Sequence, residues 1–200
     1  MAILLPGNLF GNTTLVTMAS GDRLFLFEGE YLITSGSYAI YSNAGVADVS
    51  DDGEVFAHIT GINLFAQSGT VADFNVKIGK NGDVQGGSNG VEVRGATDVK
   101  GSILFQNQGT VAGEQFAVAL YRADTVYVSN SGQISSLGNT DYTNALFVSA
   151  EYASINNSVT IENFVVDPSD AEYSGAAITA PSAFGKLDGS ILDIFNSGSI

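Results

Sequence analysis

Apolar residues recur two apart over short stretches of this chain. Phe74, Val76 and Ile78 are separated by Asn75 and Lys77, and Ile103 and Phe105 repeat the spacing. A period of two marks β-strands, because successive side chains of a strand point to opposite faces. Leu24-Phe-Leu-Phe27 and Tyr38-Ala-Ile-Tyr41 read as further strands. Helical spacing is scarce and β-branched residues are abundant, which suits a pleated surface. The pattern predicts an all-β chain of short strands and turns.

A longer repeat overlies this alternation. The motif Asn-x-Gly-x-(Val/Ile), with an apolar residue two places before the Asn, reads Phe105-Gln-Asn107-Gln-Gly109-Thr-Val111, Val128-Ser-Asn130-Ser-Gly132-Gln-Ile134 and Ile194-Phe-Asn196-Ser-Gly198-Ser-Ile200. Ile155-Asn-Asn157-Ser-Val159-Thr-Ile161 has Val in place of Gly. Looser copies are Val49-Ser-Asp51-Asp-Gly53-Glu-Val55, Phe65-Ala-Gln67-Ser-Gly69-Thr-Val71 and Ile78-Gly-Lys80-Asn-Gly82-Asp-Val84. Successive Gly positions are 16, 13, 27, 23, 27 and 39 residues apart. The regular step is about 25 residues, and the longest step reads as one period with an insertion near Asp167-Pro168-Ser169-Asp170 and Ala180-Pro181. Between copies lies a second signature, small-apolar-x-apolar: Gly90-Val91-Glu92-Val93, Ala117-Val118-Ala119-Leu120, Ala145-Leu146-Phe147-Val148 and Ala176-Ala177-Ile178. Each period therefore holds at least two strands.

A unit of this size cannot bury its apolar side alone. Stacking copies as parallel rungs lets each rung cover the inward side chains of its neighbour. The expected fold is a right-handed parallel β-helix, or β-solenoid, since parallel crossovers are right-handed. Ile78, Phe105, Val128 and Ile155 should form one core column. Asn107, Asn130, Asn157 and Asn196 should sit at a corner, where Asn tolerates left-handed backbone and can stack as an amide ladder, with the Gly serving the same bend. Residues 1–45 precede the regular rungs and are rich in aromatics, so they read as an N-terminal strand-rich cap and first strands. Residues 46–200 read as the rungs. The last motif copy runs intact to Ile200, which predicts further rungs beyond it or end-to-end docking with another copy.

Composition narrows the function. The 200 residues carry 7 basic and 21 acidic side chains, a formal charge of -14, with no cysteine. Such acidity argues against a nucleic-acid partner, which needs clustered Lys and Arg. Without cysteine there is no disulfide framework or thiolate metal site. No apolar run approaches the length of a membrane helix, so membrane insertion is not expected. Met1-Ala-Ile-Leu-Leu-Pro6 has no basic residue before Arg23 and no long apolar core, so export would proceed without a cleaved N-terminal signal.

The runs Asn-Ser-Gly-Gln-Ile, Asn-Gln-Gly-Thr-Val and Asn-Ser-Gly-Ser-Ile resemble the rungs of bacterial secreted β-helix proteins, including autotransporter passengers and repeats-in-toxin-type proteins exported by type I secretion. Ser20-Gly-Asp-Arg-Leu-Phe-Leu-Phe-Glu-Gly-Glu-Tyr31 is similar to the N-terminal region of such type I substrates. The resemblance implies a secreted or cell-surface protein whose export signal is C-terminal. The calcium nonapeptide Gly-Gly-x-Gly-x-Asp is absent, and Gly86-Gly-Ser-Asn-Gly90 is only a partial match. No cofactor is expected from these residues; calcium is possible, but no calcium motif lies in this chain.

Candidate chemistry is sparse. β-Helix polysaccharide enzymes need converging carboxylates or a basic residue beside a bound uronate. The acidic candidates are Asp48, Asp51, Asp52 and Glu54, and Asp167, Asp170 and Glu172; the basic ones are Arg94, Lys100 and Arg122. Glu92 and Arg94 should point outward from one strand, with Ala119 and Tyr121 one rung on, so no vertical charged stack builds up. His58, the one histidine, reads as a surface residue. Outward positions on the strand before the motif Gly should be Ile62, Leu64, Leu104, Tyr127, Tyr152 and Ile191, which is apolar for a solvent face. Such a face is covered by the chain's own loops or else meets another subunit or a glycan. The expected function is an extracellular structural or adhesive β-solenoid segment without turnover or a transition metal. The alternative is a polysaccharide-active enzyme or glycan-binding module.

Overall fold

A computed structural model describes residues 1–95, 101–138, 143–163, 177–179 and 191–200. The described residues form strands and turns without a helix, and the strands stack in parallel as a β-solenoid. Each turn lays one strand on each of three faces. The first face carries β1 (Ile3–Leu4), β4 (Asp22–Leu26), β7 (Val46–Asp51), β10 (Asp73–Ile78) and β13 (Ser102–Asn107). It continues with the second halves of β15 (Phe116–Asn130) and β17 (Asn144–Asn157), then β20 (Ile191–Asn196). The second face carries β2 (Leu9–Gly11), β5 (Tyr31–Thr34), β8 (Glu54–Ala57), β11 (Asp83–Gly86), β14 (Thr110–Gly113), β16 (Gln133–Ser136) and β18 (Thr160–Asn163). The third carries β3 (Val16–Met18), β6 (Tyr38–Ser42), β9 (Thr60–Phe65), β12 (Asn89–Arg94), the first halves of β15 and β17, and β19 (Ile178–Thr179).

Because β15 and β17 run unbroken from the third face into the first, these two faces share one sheet, while the second face is a separate sheet of seven strands among the described residues. β15 bends at Arg122, whose φ is 64°, and its register with β17 shifts between Tyr121 and Ala123. An extra residue in left-handed backbone is how a continuous strand turns a corner without losing its ladder on either side. Residues 1–45 are strand-rich, and their strands β1 to β6 lie in register on the same three faces.

The core is three columns of inward side chains. The first-face column runs Leu24, Val49, Val76, Phe105, Val128, Ile155. The second runs Leu32, Val55, Val84, Val111, Ile134, Ile161. The third runs Ile40, Ile62, Val91, Val118, Leu146, Ile178. The small-apolar-x-apolar signature is this third column, and the strand not separated by the sequence pattern is the short one after the motif Gly.

Three register expectations need correction. Ile78 is buried like Phe105, Val128 and Ile155, but it pairs with Asn107, and Val76 is the partner of Phe105. The corner after Ile78, Gly79 to Gly82, is longer than the Gln108-Gly109 corner after Asn107. Counting back from the Gly therefore lands on the wrong rung position. The Phe65 to Val71 copy is not a rung motif: Phe65 closes third-face strand β9 opposite Arg94, and Val71 is exposed. Ile62 and Leu64 consequently point inward and are fully buried, so they are not surface residues; Asn63 and Phe65 occupy the outward positions of that strand. The proposed insertion at Asp167–Asp170 and Ala180-Pro181 lies outside the described residues.

Candidate functional site

The corner between the first and second faces holds the asparagine ladder. Asn107 Nδ2 donates to Asn130 Oδ1 at 2.8 Å, Asn130 Nδ2 to Asn157 Oδ1 at 2.7 Å, and Asn157 Nδ2 to Asn196 Oδ1 at 2.7 Å. Each of these donors also reaches a backbone carbonyl of the next rung, at Gln133, Thr160 and Ser199. The Oδ1 atoms of Asn107 and Asn130 accept the N–H of Gly109 and Gly132 two residues on. None of these residues has positive φ, so left-handed backbone is not why Asn or Gly stands here. The Asn is required by its two-sided amide. The Gly is required by close approach: a Cβ on Gly132 would lie 2.2 Å from the carbonyl oxygen of Gly109 in the rung beside it.

Toward the N-terminus the same row continues as Ile78, Asp51 and Leu26. Asp51 is buried between two aliphatic side chains. Its Oδ1 accepts the Gly53 N–H at 3.0 Å, and its Oδ2 has no hydrogen-bond partner. Burial pushes its carboxyl up to about 8, against the lowering effect of the Gly53 N–H and with smaller raising effects from Asp52 and Asp83. The folded-state value lies above the unfolded one, so the native state holds the proton more tightly. The stability this contributes is fully present below about pH 4 and is lost as pH rises through about 8. Thermal melts of the native chain and Asp51→Asn across that window should therefore diverge: the native chain loses melting temperature that the variant keeps. Parallel pH profiles would refute a buried, protonated Asp51.

The outward side of the first face carries a carbon-rich stripe. Leu104 and Tyr127 are register partners and are 36% and 45% exposed. Tyr152 pairs in register with Ile191, and its ring lies 5.8 Å from that of Tyr127. The Tyr152 hydroxyl donates to Asp193 Oδ2 at 3.2 Å. Leu104, Tyr127 and Tyr152 thus stand on the outer surface as the alternation implies.

The third face carries a polar and aromatic cluster centred on Glu92. Glu92 pairs with Asn63 and Ala119, and Arg94 with Phe65 and Tyr121. Glu92 accepts from Asn63 Nδ2 at 3.3 Å, Asn89 Nδ2 at 3.0 Å and the Tyr121 hydroxyl. Burial and the bond to Glu92 push the Tyr121 phenol up, so it remains a donor. Arg94 stacks 4.5 Å over the Phe65 ring. Phe116 and Tyr121 each pack against Phe147, closing over Ala119, and Tyr38 stacks on Tyr41 at 5.2 Å two turns away. The outward pair Glu92–Arg94 and its successors Ala119 and Tyr121 are where the alternation places them; Asn63 and Phe65 become outward only with the corrected register of β9, and Asn89 opens β12 itself.

Other candidates scatter. Asp48 pairs with Arg23 at 3.1 Å. His58 is exposed at the bend after β8, beside Phe56, Gln85 and Leu137 around a shallow cavity of about 320 Å³. Glu54 is exposed at the start of β8. Asp167, Asp170, Glu172 and Lys100 lie outside the described residues. Among the described residues no three His, Asp or Glu side chains gather as a metal site, and no helix is long and apolar enough to cross a membrane.

A parallel β-solenoid with a buried asparagine ladder is the class these features define. No family model, curated protein or solved structure matches this chain.

Proposed function

We propose that this chain is an extracellular structural or adhesive β-solenoid segment of a secreted bacterial protein. The observation that carries the reading is the outward stripe Leu104, Tyr127, Tyr152 and Ile191 on a sheet braced by parallel pairing and the Asn ladder. Aromatic rings held on a rigid surface bind with little loss of side-chain entropy, and a contiguous apolar patch marks a contact surface. The likeness of the rungs to secreted repeats-in-toxin and autotransporter proteins supports a location outside the cell. The charge of -14 favours a partner other than nucleic acid.

A second reading, a glycan-binding module, is favoured by the Glu92 cluster. A carboxylate, two amides and a phenol beside half-buried aromatic rings are the kinds of group that hold sugar hydroxyls and sugar faces. Glu92 accepts three donors, and a carboxylate has about four acceptor positions, so one remains for a sugar hydroxyl.

The test is retention on polysaccharide-coated and cell-derived surfaces. Tyr127→Ala/Tyr152→Ala should lose at least about tenfold of the retained protein with unchanged circular dichroism, because each ring removed is a centre of contact. Undiminished retention removes the stripe from the adhesive role. The same preparation addresses assembly. Leu192 and Ile194 continue the inward columns of Ala153 and Ile155, yet are 43% and 44% exposed. We propose that further rungs or a second copy cover them. Light scattering should show mass growing with concentration, and a strictly monomeric species would exclude end-to-end association.

A further inference from the structure

The corner between the first and second faces is uneven, and the unevenness makes a recess. After β7 the corner is Asp52-Gly53. The corners on either side are longer: Phe27 to Glu30 after β4, and Gly79 to Gly82 after β10. The short corner is therefore sunk between two protruding ones. The hollow has a volume of about 450 Å³, within the range of small-molecule sites. Phe25 and Phe27 line one side, Lys77, Gly79 and Lys80 the other, with Ser50 and Asp52 between them.

Three observations say what such a hollow would hold. Phe27 is 54% exposed, so an aromatic face stands bare at the rim. Lys77 and Lys80 are exposed, and neither forms a salt bridge with a carboxylate among the described residues. The floor between the two walls is polar, with Ser50 paired in register to both Phe25 and Lys77. Asp52 is already engaged: its Oδ1 accepts the Asn81 N–H at 3.0 Å, and it fills the space where a side chain at Gly79 would stand. The two lysines are thus the mobile charges of the recess. The acidity of the rest of the chain is screened over about 8 Å at physiological salt and does not cancel them locally.

We propose that this recess binds a negatively charged sugar, with its ring against Phe25 and Phe27 and its anionic group on Lys77 and Lys80. The ring faces supply apolar contact, and the ammonium groups supply charge-assisted hydrogen bonds. The site does not rest on the tyrosine stripe, which lies further along the solenoid on the outer side of β15 and β17.

Calorimetric titration of the whole chain tests it, with three tetrasaccharide probes: tetragalacturonate, a chondroitin sulfate tetrasaccharide and neutral maltotetraose. At least one charged probe should bind about tenfold or more tightly than maltotetraose, and which one binds identifies a carboxylate or a sulfate as the recognised group. Lys77→Gln/Lys80→Gln should weaken that binding about tenfold at unchanged melting temperature, since both side chains are exposed. Phe27→Ala should weaken it as well. Failure of both charged probes to bind, equal affinity for maltotetraose, or an unaltered affinity in the lysine variant overturns the proposal. Inorganic sulfate binding as tightly as the sugar, with no effect of Phe27→Ala, overturns the assignment to a sugar.

Discussion

Phe105→Ala should lower the unfolding free energy by about 3–5 kcal/mol in urea titrations, the usual cost of emptying an aromatic core position. Phe105 is among the largest fully buried side chains, in a column between Val76 and Val128. Its rung is held on both sides by parallel pairing, to β10 and to β15, so the backbone cannot collapse into the space left behind. The cavity persists, which places the cost toward the upper end. Leu104→Ala, the neighbour on the outer face, should cost less than about 1 kcal/mol. A similar loss for the two would mean that the inward and outward assignments of β13 are interchanged. Because contacts in a solenoid are mostly between neighbouring turns, the Phe105 variant should also broaden the transition, as turns on either side of the defect begin to unfold separately.

The second large effect is expected at Asn130. Its side chain accepts from Asn107, donates to Asn157, accepts the Gly132 N–H, and donates to the carbonyls of Gly132 and Thr160. Asn130→Ala leaves Asn107 Nδ2 and Asn157 Oδ1 short of a partner inside a buried corner. At about 1–3 kcal/mol for each buried group left unpaired, the variant should lose about 3 kcal/mol or more. Asn196 is the exposed end of the row, where water can replace the amide, so Asn196→Ala should cost under about 1 kcal/mol. Equal costs at the two positions would show that the ladder does not act as a buried network. Asn130→Asp should be at least as harmful as Ala at neutral pH, since a carboxylate cannot donate to Asn157.

The value of Asn in this row explains why its absence upstream matters. Where the row changes to Ile78 and Asp51, no amide chain crosses the corner. Corner length is free to vary there, and in the three turns around Asp51 it does. The recess, the orphaned oxygen and the raised carboxyl pKa share that origin.

Much of this architecture was legible in residue order. Period-two alternation identified the strands, the Asn-x-Gly copies at 107, 130, 157 and 196 identified the corner, and the small-apolar-x-apolar runs identified the third-face column. Those signals survive because each rung repeats the same local environment, so identical demands select similar residues. Errors arose where local spacing and rung spacing part company. Phe65-Ala-Gln67-Ser-Gly69-Thr-Val71 imitates the motif but lies between the third and first faces. Accepting it turned Ile62 and Leu64 outward and hid Asn63 and Phe65 from the Glu92 cluster.

The sequence by itself determined that the chain is an all-β solenoid, which residues alternate, and which asparagines stack, since those properties follow from side-chain periodicity and repetition. Only the tertiary structure decided which of two alternating sets faces the core in β9, that Ile78 lies opposite Asn107, and that Asp51 is buried. Alternation is symmetric between the two faces of a strand, and only pairing with the rungs above and below breaks that symmetry. The recess belongs to the same category. It is built by residues of successive turns, and its walls exist because a short corner is stacked between two long ones.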